Sequence, residues 1–256
     1  MKQKLLFMVS AACFISITAC NNNDKKASST EGDTASLQKP MTENNTAGMD
    51  ATVVAPDHYK LLKDTAGLRI IEINYKPGES SQMHAHPEQA VYVIEGGTVE
   101  MTDANGKKDT LEFKSGMAGL FPGATHSARN IGTSNLKALL VEVNRPNKPG
   151  TGLDASMDAT KVAAKEYKKL ADTLGVRIIE ISYNPGEKSA MHTHPDAAFY
   201  ALTDANAEFT GKDGSKMVNE IKGGMGMFTP ADTHSVKNVG KNNMKGILVE
   251  VTRPVQ

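Results

Sequence analysis

The sequence predicts an all-β protein, a small sandwich or barrel unit written twice. Two observations predict it. Displacing the sequence by 108 residues superimposes Asp57–Pro146 on Lys165–Pro254 without a gap, with about half the positions identical. Within each copy, short β-branched and apolar runs alternate with turn residues at the spacing of sandwiches and barrels, and almost no stretch carries a 3.6-residue period.

The elements follow in order. Arg69–Tyr75 is apolar and β-branched, and Lys76-Pro77-Gly78 turns it. Ala90–Ile94, Thr98–Thr102, Thr110–Phe113 and Leu136–Val143 are the next predicted strands, with Asn105-Gly106 as a hairpin turn between two of them. Arg69–Ile73 returns as Arg177–Ile181, and Leu140–Val143 as Leu248–Val251, each of the latter followed by an Arg-Pro pair. Pro149, Gly150 and Gly152 mark a linker, and Ala159–Leu170 is the one stretch whose spacing suits a short helix. The expected organisation is residues 56–147 and 161–256 as two homologous domains joined by residues 148–160.

Composition excludes several classes. The chain has 29 basic and 29 acidic residues, so it lacks the basic excess expected of a nucleic-acid binder. Both cysteines, Cys13 and Cys20, fall in the first twenty residues, which leaves the body without a disulfide, a thiolate metal site or a cysteine nucleophile. Lys2 and Lys4 precede an apolar run from Leu5 to Ala19, the length of a secretory signal rather than of a membrane span. Its end, Ile17-Thr18-Ala19-Cys20, resembles the lipobox of bacterial lipoproteins. That resemblance implies cleavage after residue 19, lipidation of Cys20 and a membrane anchor of two or three acyl chains. It places the protein in the cell envelope, and Asn21 in place of Asp favours the outer membrane. Residues 20–55 are polar and small, and read as a flexible tether.

Six of the seven histidines form one pattern, His-x-His-Pro followed forty residues on by Thr-His-Ser, twice. On a strand, residues two apart share a face at about 6.6 Å. Imidazoles so placed can converge on one cation, and a third from a neighbouring strand would leave coordination positions open. Imidazole suits Fe, Ni, Cu and Zn better than Mg or Ca. His58 lies outside the repeat, since Glu166 occupies its equivalent.

Gly78-x5-His84-x-His86 with Gly116-x5-Pro122-x3-His126-x3-Asn130 resembles the two signature motifs of cupins, and Gly186, His192, His194, Gly224, Pro230, His234 and Asn238 repeat them. The resemblance covers nearly the whole body. It implies two tandem cupin barrels, small double-stranded β-helix (jelly-roll) domains that commonly hold a divalent metal. The implied ligands are His84, His86 and His126 in the first barrel and His192, His194 and His234 in the second. Many cupins add a Glu four or five residues after the second His, where this chain has Ala90 and Val91 in the first copy and Ala198 and Phe199 in the second. This chain has none there, and Gln89 stands as a weak fourth ligand whose equivalent is Ala197. The metal is Fe, Mn, Ni, Cu or Zn. Asp232, which enters beside His234, and Asp204-Ala205 in place of Gly96-Gly97 make the second pocket a drifted copy.

Glu72, Glu142, Glu180 and Glu250 sit inside strands in both copies. They read as general bases near a metal, as solvent-facing side chains, or as partners of arginines such as Arg69 and Arg177. Met83 and Met191 read as packing residues. Asn130 and Asn238 share a face with His126 and His234, and serve either a ligand or a turn. The function expected is a lipid-anchored, metal-binding bicupin acting as an oxygenase, isomerase or lyase on a small polar molecule. The alternative is a non-catalytic envelope protein that holds a small ligand or metal on relict sites. Two barrels packed face to face suit a monomer, with a homodimer as the other option.

Overall fold

The computed structural model describes residues 48–148, 150 and 154–255. Near its start, the Asp50 carboxylate accepts the backbone N–H of Thr52 at 2.8 Å and caps a one-turn helix, α1 (Ala51–Val54). Nine strands follow: β1 (Tyr59–Thr65), β2 (Leu68–Tyr75), β3 (His84–His86), β4 (Gln89–Glu95), β5 (Gly97–Asp103), β6 (Lys108–Phe113), β7 (Ala118–Phe121), β8 (Ala124–Asn130) and β9 (Leu136–Val143). The second copy repeats the order with α2 (Ala159–Val162), β10 (Tyr167–Thr173), β11 (Val176–Tyr183), β12 (His192–His194), β13 (Ala197–Ala201) and β14 (Ala205–Gly211). It closes with β15 (Lys216–Ile221), β16 (Gly226–Thr229), β17 (Asp232–Asn238) and β18 (Met244–Val251).

Each copy is a double-sheet jelly-roll barrel. The first pairs a five-stranded antiparallel sheet, β1-β2-β9-β4-β7, with a four-stranded one, β3-β8-β5-β6. The second repeats both sheets as β10-β11-β18-β13-β16 and β12-β17-β14-β15. The chain is all-β, as its patterning predicts.

The apolar runs have two masters. Side chains alternate along a strand, so Ile71, Ile73 and Leu140 point into the first barrel, while Leu68, Ile70 and Val141 point out of it. The outward set meets its own copy, Val176, Ile178 and Val249, in a core shared by the two barrels. A sheet covered on both faces needs unbroken apolar strands rather than alternating ones, which is why β2 and β9 read as Ile-Ile and Leu-Leu-Val.

The Arg-Pro repeats finish the junction. Arg145 crosses to Asp196 at 2.9 Å, Arg253 crosses back to Glu88 at 2.5 Å, and both arginine side chains are almost wholly buried. Each also ties the chain to its own barrel, with Arg145 Nε donating to the Ala66 carbonyl at 2.8 Å and Arg253 Nε to that of Leu174 at 2.7 Å. Tyr200 donates across the junction to Glu72, which Lys137 also pairs at 3.1 Å.

Turn chemistry is as expected where it matters for the site. Gly78, with φ of +82°, adopts a left-handed conformation that side chains disfavour, and Gly186 does the same at +80°. These turns return the chain towards β3 and β12.

Three expectations are corrected. Ala159–Leu170 is not one short helix: α2 stops after a single turn, and Tyr167 onward is strand β10. The reason is tertiary, because β10 pairs with β11 along its length. The expected tether over residues 20–55 ends too late, since Asp50 bridges Ala85 and Ala51 is fully buried. The expected linker over residues 148–160 likewise overlaps the second barrel, where Ala159 belongs to the core. Small residues such as these carry little hydropathy signal although they fill tight core positions.

Arg145 is buried, and its removal strands the partly exposed Asp196 together with the carbonyls of Ala66 and Arg253. The change Arg145→Ala should therefore cost about 3 kcal/mol. In a chain of this size that is a fall of roughly 6–12 °C in melting temperature. Thermal unfolding followed by circular dichroism measures it, and an unchanged midpoint would show that the Arg145–Asp196 bridge does not hold the barrels together.

Candidate metal centres

β3 pairs with β8 so that His84 stands directly opposite His126. His86, two residues along, projects from the same face. The three rings gather with centroids 4.7–5.4 Å apart. β12 and β17 repeat the register, His192 opposite His234, and His194 completes a second triad at 4.7–5.5 Å. In each triad one ring nitrogen per residue lies within 4.8 Å of the others.

The second nitrogen of each inner histidine is already committed. His84 Nδ1 donates to the Gln82 carbonyl at 2.7 Å, and His192 Nδ1 to that of Ala190 at 2.7 Å. A carbonyl only accepts, so the proton sits on Nδ1 and the lone pair on Nε2. His86 Nδ1 meets Glu142 Oε1 at 2.9 Å, and His194 Nδ1 meets Glu250 Oε1 at 2.6 Å. Carboxylates in this position fix the tautomer of a ligating histidine and raise its basicity. The Nε2 atoms of His84 and His192 are buried with no hydrogen-bond partner. A divalent transition metal fits these atoms, because it takes neutral imidazole nitrogen and no hydrogen-bonding group among the described residues satisfies them.

The rings are neutral for a physical reason. Burial lowers His84 to about 4 and His126 and His192 to about 3, with the neighbouring imidazoles adding to the effect. Burial also lowers His234, although Asp232, which meets its Nδ1 at 3.0 Å, works against the shift. The first barrel has Ala124 where the second has Asp232, and His126 therefore lacks that carboxylate partner.

The other residues singled out in the sequence divide. Gln89 is buried and lines the first cavity together with His86 and His126, and its Oε1 has no hydrogen-bond partner among the described residues. Glu142 and Glu250 prove to be arginine partners, and they orient the histidines as well: Arg69 Nη1 donates to Glu142 Oε2 at 2.6 Å, and Arg177 Nε to Glu250 Oε2 at 2.7 Å. Glu72 belongs to the junction between barrels. Asn130 and Asn238 serve turns, with Asn130 Nδ2 donating to the Tyr75 and Ser134 carbonyls and its Oδ1 accepting from Gly132. Met83 and Met191 are half-buried and line neither cavity. His58 stacks on Tyr75 at 4.2 Å, outside the triad. Cys20 and the signal segment lie outside the described residues.

Sequence reasoning missed the tyrosines. The Tyr59 ring lies 4.7 Å from His84 and 5.2 Å from His86, and its hydroxyl accepts from Tyr75 at 3.1 Å. Tyr167 and Tyr183 repeat the pair at 3.0 Å. Burial raises both Tyr59 and Tyr167, so they remain phenols. The signal was present, since all six tyrosines fall in register at the repeat offset.

Each triad borders a cavity inside its barrel. The first encloses about 340 Å³ and the second about 610 Å³. Apart from its tyrosines, Gln89, His86 and His126, the first cavity is lined by apolar side chains, which does not suit the small polar molecule expected from the sequence.

Residues 71–142 match the family described as Cupin domain. No curated protein matches the chain. Among solved structures, a variant of Bacillus subtilis oxalate decarboxylase is similar at 14% identity and a TM-score of 0.51, covering 74% of this chain and 70% of that one. A second structure of the Bacillus subtilis enzyme, from work on its Mn(II) centres, matches at 15% identity and a TM-score of 0.50 over the same shares. At this identity the likeness establishes the fold.

Unfolded histidines titrate near 6.5, whereas burial holds His84, His126 and His192 several units lower. Between those values the unfolded chain binds protons that the folded chain refuses. The metal-free protein should therefore lose stability steadily as pH falls from 7 to 5. Urea midpoints at the two pH values test this, and equal midpoints would contradict buried neutral triads.

Proposed function

We propose that this chain, which belongs to the cupin superfamily through two tandem barrels, holds a divalent transition metal in each triad and presents it to a small molecule in the adjoining cavity. One observation carries the reading. In each barrel two buried histidines have their outer nitrogens tied down, one by a backbone carbonyl and one by a glutamate, and turn their free nitrogens towards a third. Bound Fe, Mn, Ni, Cu or Zn would supply Lewis acidity or, for the redox-active metals, oxygen activation, which suits an oxygenase, isomerase or lyase. In the first barrel Gln89 Oε1 offers a further contact, and the Tyr59 hydroxyl, hydrogen-bonded to that of Tyr75, lines the same cavity. A purely ligand-holding role has one observation in its favour: among the described residues no Asp, Glu or Lys lines that cavity, whereas Glu220 and Asp232 line the second.

The lipobox-like Ile17-Thr18-Ala19-Cys20 supports a lipid-anchored protein of the cell envelope, with Asn21 favouring the outer membrane. The sheet of each barrel that single barrels could use for pairing is covered within the chain, which supports a monomer.

Elemental analysis of the full chain, purified without chelators or a His tag, should give close to two equivalents of transition metal. The double change His84→Ala/His86→Ala should leave one, as should His192→Ala/His194→Ala. Unchanged metal content in either would remove that triad from the assignment. Radiolabelled palmitate should enter the chain and be lost with Cys20→Ser; label retained in that variant would exclude Cys20 as the anchor.

A further inference from the structure

The two cavities share a plan and differ at their mouths. Around the first, Leu111 and Phe121 are 42% and 45% exposed and line the entrance, with Ala124 beside them. At the repeat offset the second barrel has Asn219, Thr229 and Asp232, all lining its cavity. The second mouth also opens onto a polar shelf that carries Lys212, Asp213 and Lys216 and reaches His234. Among the described residues, no Asp, Glu, Lys or Arg lines the first cavity.

We infer that the first barrel takes an apolar, ring-sized molecule bearing a single oxygen donor, a phenol in chemical class, and that the polar groups at the second mouth, Asn219, Thr229 and Asp232, disfavour the same molecule there. The inference rests on the metal reading only for what the oxygen meets at the triad. A charged ligand would leave water for walls such as Ile73, Val93, Val99 and Leu140, which cannot replace its hydration. An apolar ring gains from the same walls. An apolar cavity of about 150 Å³ takes up benzene, and this one, at about 340 Å³, has room for two fused rings. The polar groups that line this cavity, Gln89, Tyr59, Tyr75 and the two triad histidines His86 and His126, are few against its apolar walls, which suits a ligand with one hydroxyl. Exposed Leu111 and Phe121 then form the lip over which such a molecule enters.

The test uses the full chain loaded with Zn(II) and 2-naphthol as a fluorescent probe. One tight site per chain is expected, and malonate should not displace the probe. The triple change Leu111→Asn/Phe121→Thr/Ala124→Asp gives the first mouth the residues of the second. It should weaken naphthol at least tenfold while zinc stays at two equivalents, and Leu111→Asn alone should weaken it in the same direction. Naphthol held equally well by both variants, or displaced mole for mole by malonate, would overturn the inference. Zinc bound with no naphthol site would also overturn it and leave the metal reading standing. Naphthol bound without zinc would support the apolar cavity and count against the metal reading alone.

Discussion

A carboxylate buried in the sheet of each barrel does two jobs at once. Glu142 is 1% exposed and Glu250 fully buried, and neither charge could stay there alone. Each is shared between an arginine and a histidine: Arg69 and His86 in the first copy, Arg177 and His194 in the second. The arginine in turn reaches Asp50 at 2.8 Å, or Asp158 at 2.7 Å, the residue that caps the short helix at the start of its barrel. One continuous line of charge therefore runs from the chain's entry into each barrel to the second histidine of its triad. The helix cap, the arginine and the histidine tautomer are set together.

The barrels depend on each other in a different way. The five-stranded sheets bury both faces, one against their own four-stranded sheet and the other against the partner barrel. The same strand thus serves the cavity and the junction on alternate residues. Arg145 and Arg253 close that junction with charges exchanged in opposite directions, a pseudo-twofold arrangement within one chain.

Much of this was legible in the sequence, and the reasons differ by element. The repeat fixed the number of barrels, and the doubled His-x-His-Pro pattern fixed the triads, because strand period and pairing act on residue spacing directly. β1 was not legible: Lys60, Lys63 and Asp64 leave it mostly exposed, and only its pairing with β2 makes it a strand. The dual role of Glu142 depends on which strand neighbours which, since Arg69 is its register partner across β2 and β9 while His86 lies on the opposite sheet. No local pattern carries that. The apolar lining of the first cavity was equally hidden, because it gathers single residues from nearly every strand of the barrel.

The junction also explains how the two copies came to differ where they do. Seven residue pairs fill the shared core, and five are identical at the repeat offset, among them Ile70 with Ile178, Tyr92 with Tyr200 and Val143 with Val251. A change at any of these is felt by both barrels. Leu111, Phe121 and Ala124, with their counterparts Asn219, Thr229 and Asp232, line the cavity of their own barrel and take no part in the shared core. A duplication joined this way holds its scaffold to a common standard and releases each entrance to vary alone, so one half can acquire a new specificity while the other half keeps the whole chain folded.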